Sequence, residues 1–217
     1  FSQYSGRPER DGLDLGRIAM FMLLYLAFGA VAASLYVEPD YAQLVVRIRK
    51  AVEMAFVAMG LDRSLSSPDK QGVTMLLDAM TALLLPMSAL ISLATITISA
   101  TLGVMVADRS DRLAFARPDF RRFRLPGGSL ILGGVAMLIA LRPGYLGLFG
   151  EIVVLGLMFF YMLQGFAVLH ARTINMAGRG FMIAGAWALV ILFSVPAVIF
   201  VGIGLADHLM DFRRGRL

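Results

Sequence analysis

The chain has 217 residues, of which 59% are hydrophobic and only 16% are charged, whereas soluble domains are about 45–50% apolar and about 25% charged. Too few charges remain to cover a water-facing surface, so the composition places the chain in a bilayer and excludes a disordered protein. Cysteine is absent, which excludes disulfides and thiolate chemistry, and the net charge of +5 is carried by short segments between apolar runs, as in membrane topology signals.

Five apolar runs predict the membrane spans. A hydrocarbon core of about 30 Å is crossed by about 20 helical residues, and all but the third run reach that length. The predicted spans are residues 18–37, 84–107, 125–141, 145–170 and 180–206. Pro86 predicts a kinked or broken helix in the second, and Pro196 lies near the middle of the fifth. We therefore expect an all-α fold, a polytopic transmembrane helix bundle in which residues 1–217 form a single membrane domain.

Residues 41–61 predict one amphipathic helix between the first two spans. On a helical wheel the apolar arc contains Leu44, Val45, Ile48, Val52, Ala55 and Met59, and the other arc contains Arg47, Arg49, Lys50 and Glu53. This pattern is typical of a helix that lies in the membrane interface. Because Val46, Met54 and Val57 interrupt the polar arc, a helix packed against the bundle is the alternative.

Several strings in the second half of the chain resemble a known family. Residues 161–172 read YMLQGFAVLHAR, residues 204–216 read GLADHLMDFRRGR, and a proline-containing span leads into the basic segment 116–128. These strings resemble the YybS-like family of bacterial membrane proteins, most closely its alphaproteobacterial branch, over residues 73–217. The resemblance implies a multi-pass protein of the bacterial inner membrane with no assigned activity. It also implies further spans before Phe1, so we expect that the N-terminal part of the natural chain is missing.

A polar stripe follows one face of the second span and of the residues before it. Its members are Thr74, Asp78, Thr81, Ser88, Ser92, Thr95 and Ser99, whose spacings of three, four and seven residues place them within about 100° of one helix. Hydroxyls and carboxylates avoid lipid tails, so we expect the stripe, like the mid-span amide of Gln164, to face protein or a water-filled path. Close helix packing is favoured, and a solute or ion path is the alternative.

A basic segment connects the second and third spans. It interleaves phenylalanines with four arginines, which are Arg117, Arg121, Arg122 and Arg124. This pattern favours contact with anionic lipid headgroups or with an acidic protein partner. Nucleic acid is not expected as a partner, since the same pattern is common beside any membrane face.

The inventory of reactive residues argues against an enzyme. The sequence contains none of the usual nucleophile, phosphate-binding or metal-ligand motifs. The fifth predicted span separates His170 from His208 by about 30 Å, so neither a metal nor another cofactor is expected. We predict a non-catalytic accessory or scaffold subunit that associates with other membrane protein chains. The alternative is a solute-binding or transport protein that uses the polar stripe.

Overall fold

The computed structural model describes residues 14–60, 70–110, 119–174 and 176–213, and the regular structure within these ranges is helical throughout. The helices are α1 (Leu15–Val37), α2 (Tyr41–Ala58), α3 (Lys70–Arg109), α4 (Ser129–Ala140), α5 (Tyr145–Arg172), α6 (Arg179–Leu192) and α7 (Ser194–Met210), with one 3₁₀ turn at Phe120–Arg122. The predicted all-α class is confirmed.

Three of these helices are long and apolar enough to cross a membrane, namely α1, α3 and α5. They correspond to the first, second and fourth predicted spans. Their length and composition agree with the prediction of a membrane protein. The predicted number of five spans is not confirmed, because the remaining apolar helices have fewer than 18 residues.

The second predicted span belongs to a single helix of 40 residues. The predicted kink or break at Pro86 is not a break, because α3 continues through this residue. Pro86 is fully buried, and apolar helices tolerate an internal proline when neighbouring groups compensate for the lost backbone hydrogen bond. Because α3 already begins at Lys70, one helix carries the whole polar stripe.

The third predicted span is shorter than expected. α4 has 12 residues, which corresponds to a length of about 18 Å, well below the thickness of a hydrocarbon core. Leu125 precedes Pro126 and is therefore held out of the helical conformation, and Gly127 and Gly128 form a turn. The helix consequently begins at Ser129 rather than at residue 125.

The fifth predicted span consists of two helices, so residues 180–206 do not form one continuous helix and the predicted span is not confirmed. Phe193 has φ −133° and ψ 123°, an extended conformation that ends α6 and precedes α7. Pro196 lies in the first turn of α7, where a backbone N–H has no partner within the helix. Its position just after Phe193 is therefore compatible with a helix start rather than with a mid-helix kink.

The two helices α6 and α7 form a hairpin. The ring of Phe166 in α5 stacks on Trp187 of α6 at 4.0 Å and on Phe200 of α7 at 4.2 Å between ring centroids. In one straight helix Trp187 and Phe200 would be about 20 Å apart along the axis. A single ring cannot bridge that distance, so the chain reverses at Phe193 and α7 returns toward the end at which α6 begins.

The helices form two compact units. Of the described residues, the first unit contains 14–22, 94–110, 119–130, 157–174 and 176–213, and the second contains 23–60, 70–93 and 131–156. In the second unit, Val52 and Phe56 of α2 form a buried cluster with Leu77 of α3. The apolar side of α2 thus covers protein, which corresponds to the alternative of a helix packed against the bundle.

In the first unit, α5 and α7 approach each other through two glycines. A Cβ atom on Gly165 would lie 2.1 Å from the backbone oxygen of Phe200, and one on Gly204 would lie 1.9 Å from the backbone oxygen of Tyr161. Small residues allow two helix backbones to come this close. The approach brings the end of α7 against the middle of α5, where the most buried polar groups of the unit lie.

Candidate functional site

Most of the polar stripe of α3 is exposed in the part of the chain that the structure describes. Thr74, Asp78, Ser88, Ser92, Thr95 and Ser99 are exposed, and only Thr81 is buried, with its hydroxyl donating to the backbone oxygen of Leu77 at 2.7 Å. In the second unit the inward face of α3 is marked instead by Leu77, Ala89 and Leu93. If the exposed part of the stripe packs against protein, that protein therefore lies outside the described residues.

The hydroxyls at the centre of the stripe are satisfied by their own helix. Ser88 Oγ donates to the backbone oxygen of Leu85 at 2.8 Å, and Ser92 Oγ donates to that of Ser88 at 2.9 Å. A hydroxyl bound to the preceding turn loses little when it meets lipid or a partner helix. These serines are compatible with either surrounding.

Asp78 lies beside a cavity between α2 and α3 in the second unit. Its carboxylate forms an ion pair with Arg49 of α2, which also binds Glu53 at 3.2 Å. The cavity has a volume of about 310 Å³ and is also lined by Tyr41 and Thr81. The Asp78 and Arg49 side chains are 55% and 38% exposed, so Asp78 is a solvent-accessible, paired carboxylate rather than a lone buried one.

The arginines of the basic segment do not act as one group. Arg124 Nη2 donates to the backbone oxygens of Asp207 at 3.3 Å and His208 at 3.2 Å, and Nη1 pairs with Asp211 at 3.2 Å. An arginine in this position adds hydrogen bonds to the carbonyls in the last turn of α7. Arg124 therefore serves the fold, and Arg117 lies outside the described residues.

The other two arginines differ from each other. Arg121 pairs with Asp119 at 2.8 Å, and hydrogen bonding from Arg121 holds the pKa of Asp119 below its usual value although partial burial opposes the shift. Arg122 is exposed and has no ion-pair partner among the residues that the structure describes. Of the predicted lipid- or partner-binding arginines in the described ranges, Arg122 is the one without an ion pair, and it acts on Asp119 only as the smallest of the causes that lower the pKa of that carboxyl.

A buried polar network joins α5, the basic segment and the residues after α7. Asp207 is fully buried and accepts two hydrogen bonds from Arg213, from Nε at 3.2 Å and from Nη2 at 2.7 Å. Asp207 Oδ2 also accepts from Gln164 Nε2 at 2.9 Å. Gln164 Oε1 accepts from the backbone N–H of Leu125 at 3.0 Å, and Arg213 Nη1 donates to the backbone oxygen of Phe123 at 3.0 Å. Both members of this buried ion pair therefore have further hydrogen-bond partners, as buried charges require.

The sequence pointed to one member of this network and missed the other two. Gln164 is conspicuous because a mid-span amide needs partners, and its observed bonds correspond to the favoured packing role. Asp207 and Arg213 lie at and beyond the end of the last apolar run, where charged side chains are ordinarily exposed. Asp211 adopts a left-handed conformation with φ 50°, which turns the chain so that Arg213 contacts Asp207. The spacing of residues in the sequence does not predict this turn.

The two histidines lie at the same end of the first unit. Arg172, two residues after His170, donates to the backbone oxygen of Phe212, four residues after His208, at 3.4 Å. The predicted separation of the histidines by a full membrane is wrong because α6 and α7 form a hairpin. Over the described ranges, no group of three or more histidine, aspartate or glutamate side chains is placed to hold a metal ion.

Two polar sites therefore stand out. The pair Asp78–Arg49 borders an open cavity in the second unit, whereas the pair Asp207–Arg213 in the first unit is enclosed by its own hydrogen-bond partners. The first has room for a solute, and the second holds three segments of the chain together. No family model, no curated protein and no solved structure matches this chain.

Proposed function

We propose that this chain is a non-catalytic, multi-pass subunit of the bacterial inner membrane that associates with another membrane protein through the exposed stripe of α3. The observation that supports the proposal is the exposure of Ser88, Ser92, Thr95 and Ser99 along one helix that is long enough to span a bilayer. Small hydroxyl-bearing side chains let two helices approach closely and form hydrogen bonds across the contact.

The use of the buried polar groups agrees with a structural role. Asp207, Arg213 and Gln164 bind one another and nearby backbone groups, and so they hold α5, α7 and the basic segment in place. The assignment to the bacterial inner membrane rests on the sequence resemblance to the YybS-like family alone. Anionic lipids remain the second expected partner, through the basic segment.

Site-specific photo-crosslinking in cells tests the proposal. A crosslinking residue at Ser92 should give a discrete protein adduct, and the same residue at Ile98, which is exposed but outside the stripe, should give lipid adducts only. Ser92→Leu should reduce the yield of that adduct from a crosslinker at Ser99 without changing the melting temperature, since Ser92 is exposed. Ala79→Leu, also exposed on α3, is the matched control. Equal adducts from positions 92 and 98 would contradict the proposal.

A second candidate function is solute binding. It is favoured by the cavity of about 310 Å³ that Asp78, Thr81 and Arg49 line together. In that case Asp78→Asn should weaken solute binding or flux in proteoliposomes while the protein remains folded. The subunit proposal expects the Ser92 adduct to persist in the same variant, so the two functions give different results.

A further inference from the structure

An apolar groove lies within the first unit, between α1, α3 and the basic segment. It has a volume of about 400 Å³, within the range of about 300–1,000 Å³ that is typical of ligand sites. Ile18 and Met22 of α1 form one wall, Val104 of α3 forms the second, and Phe120 and Phe123 close the end. Since α1 and α3 are both long enough to span a bilayer, the groove lies on helices that face lipid.

The chemistry of the lining selects an alkyl chain. Among the described residues of the lining, the only polar side chains are Thr97 and Thr101, and the Thr101 hydroxyl donates to the backbone oxygen of Thr97 at 2.8 Å. A water molecule needs two to four polar partners and is not held by such a surface. An empty groove would lose the dispersion contacts of its walls, and a flexible alkyl chain restores them.

Two arginines lie next to the lining residues. Arg109 is the last residue of α3 and lies one helical turn beyond Met105, which lines the groove. Arg122 lies between Phe120 and Phe123. Both are exposed, and within the part of the chain that the structure describes neither has an ion-pair partner.

Two of the nearby carboxylates have another arginine as their ion-pair partner. Asp14 pairs with Arg17 at 3.0 Å, and Asp119 pairs with Arg121 at 2.8 Å. Guanidinium groups bind phosphate through two parallel hydrogen bonds, so Arg109 and Arg122 suit a phosphate group better than an uncharged headgroup.

We propose that the groove binds one acyl chain of an anionic glycerophospholipid, whose phosphate is held by Arg109 and Arg122. The site is formed before the lipid arrives, because α1 is fixed against the basic segment by a close backbone contact. A Cβ atom on Gly16 would lie 1.8 Å from the backbone oxygen of Arg124, so the two segments touch without an intervening side chain.

The first test removes the space for the acyl chain. The full chain is transferred from vesicles of phosphatidylglycerol and phosphatidylcholine into native mass spectrometry, and the retained lipid is counted. Ala100 lines the groove and is exposed, so Ala100→Phe should fill the groove and lower retention of both lipids several-fold. Ala79→Phe, exposed on the same helix but outside the groove, should retain lipid like the unaltered chain. Equal retention by the two variants would overturn the proposal.

The second test removes the phosphate contact. Arg122→Gln should lower the preference for phosphatidylglycerol over phosphatidylcholine about fivefold, the effect of one basic residue near an anionic surface. The control is Arg142→Gln, at an exposed arginine in the turn between α4 and α5, which should keep the preference. An unchanged preference in Arg122→Gln would overturn the anionic headgroup and with it the proposal.

A third measurement needs no substitution and therefore covers the case in which Ala100→Phe does not fold. Phosphatidylglycerol with a photoreactive acyl chain is crosslinked to the unaltered protein, and the adducts are mapped by peptide sequencing. The proposal expects adducts concentrated on the groove residues Met22, Val104 and Met105. Adducts spread evenly over the exposed apolar residues of α1 and α3 would overturn it.

Discussion

Two aspartate–arginine pairs, Asp207–Arg213 in the first unit and Asp78–Arg49 in the second, differ in burial and in surroundings. The side chains of Asp207 and Arg213 are 0% and 4% exposed, whereas those of Asp78 and Arg49 are 55% and 38% exposed. The first pair is enclosed by further hydrogen bonds, and the second borders a cavity. Removing one member of a buried pair leaves the other charge buried without a counter-charge and is strongly destabilising, whereas removing one member of an exposed pair costs little stability. The comparison indicates that the first pair holds the fold and that the second is available for exchange with a ligand.

The largest expected effect is that of removing the buried carboxylate. Asp207→Ala leaves Arg213 buried without a counter-charge and should destabilise the protein by about 3–5 kcal/mol. Asp78→Ala, at the exposed pair, should cost about 0–1 kcal/mol. Thermal unfolding of both variants in the same detergent measures the difference. If the two melting temperatures fell equally, the contrast between the pairs would be lost.

A second effect concerns the packing that brings Asp207 to Gln164. Gly204→Ala places a methyl group 1.9 Å from the backbone oxygen of Tyr161, so α7 must move and the cost should be about 1–3 kcal/mol. Gly202 on the same helix has nothing within 4 Å of its added Cβ, so Gly202→Ala should be neutral or stabilising by up to about 1 kcal/mol. Melting temperatures that change in the same direction would show that α5 and α7 do not meet at Gly204.

The features that composition and helix length determine could be predicted from the sequence. The all-α class and the long helices over residues 18–37 and 145–170 follow from apolar runs whose length matches a bilayer. The break at Phe193 could not be predicted, because it depends on the stacking of Trp187 and Phe200 around a ring in a third helix.

The candidate sites show the same limit. Asp78 is the charged member of the predicted polar stripe, and its side chain is exposed. Asp207 follows the last apolar run, where charged side chains are ordinarily exposed, yet tertiary packing buries it completely. The position of a charged residue relative to the apolar runs of a sequence therefore does not show whether tertiary packing buries it.

The smallest expected effect is on the acid stability of the basic segment. The pKa of Asp119 is lowered in the folded state by its hydrogen bond with Arg121, so this pair stabilises the fold above the unfolded pKa of about 3.9. That stabilisation is lost as the pH falls through the lower folded pKa. Arg121→Gln should therefore lose slightly less stability than the unaltered protein between about pH 5 and pH 3. Denaturant unfolding at both pH values measures this, and a larger acid loss in the variant would contradict the assignment.

The buried network exists only if the chain reverses at Phe193, and side-specific labelling tests that reversal directly. The chain contains no cysteine, so Arg172→Cys and Met210→Cys each introduce a single exposed thiol. A membrane-impermeant thiol reagent applied to sealed vesicles of one orientation should modify both variants from the same side, because α7 ends on the side at which α6 begins. Modification of the two variants from opposite sides would mean that residues 180–206 cross the membrane once, and the hairpin would be wrong.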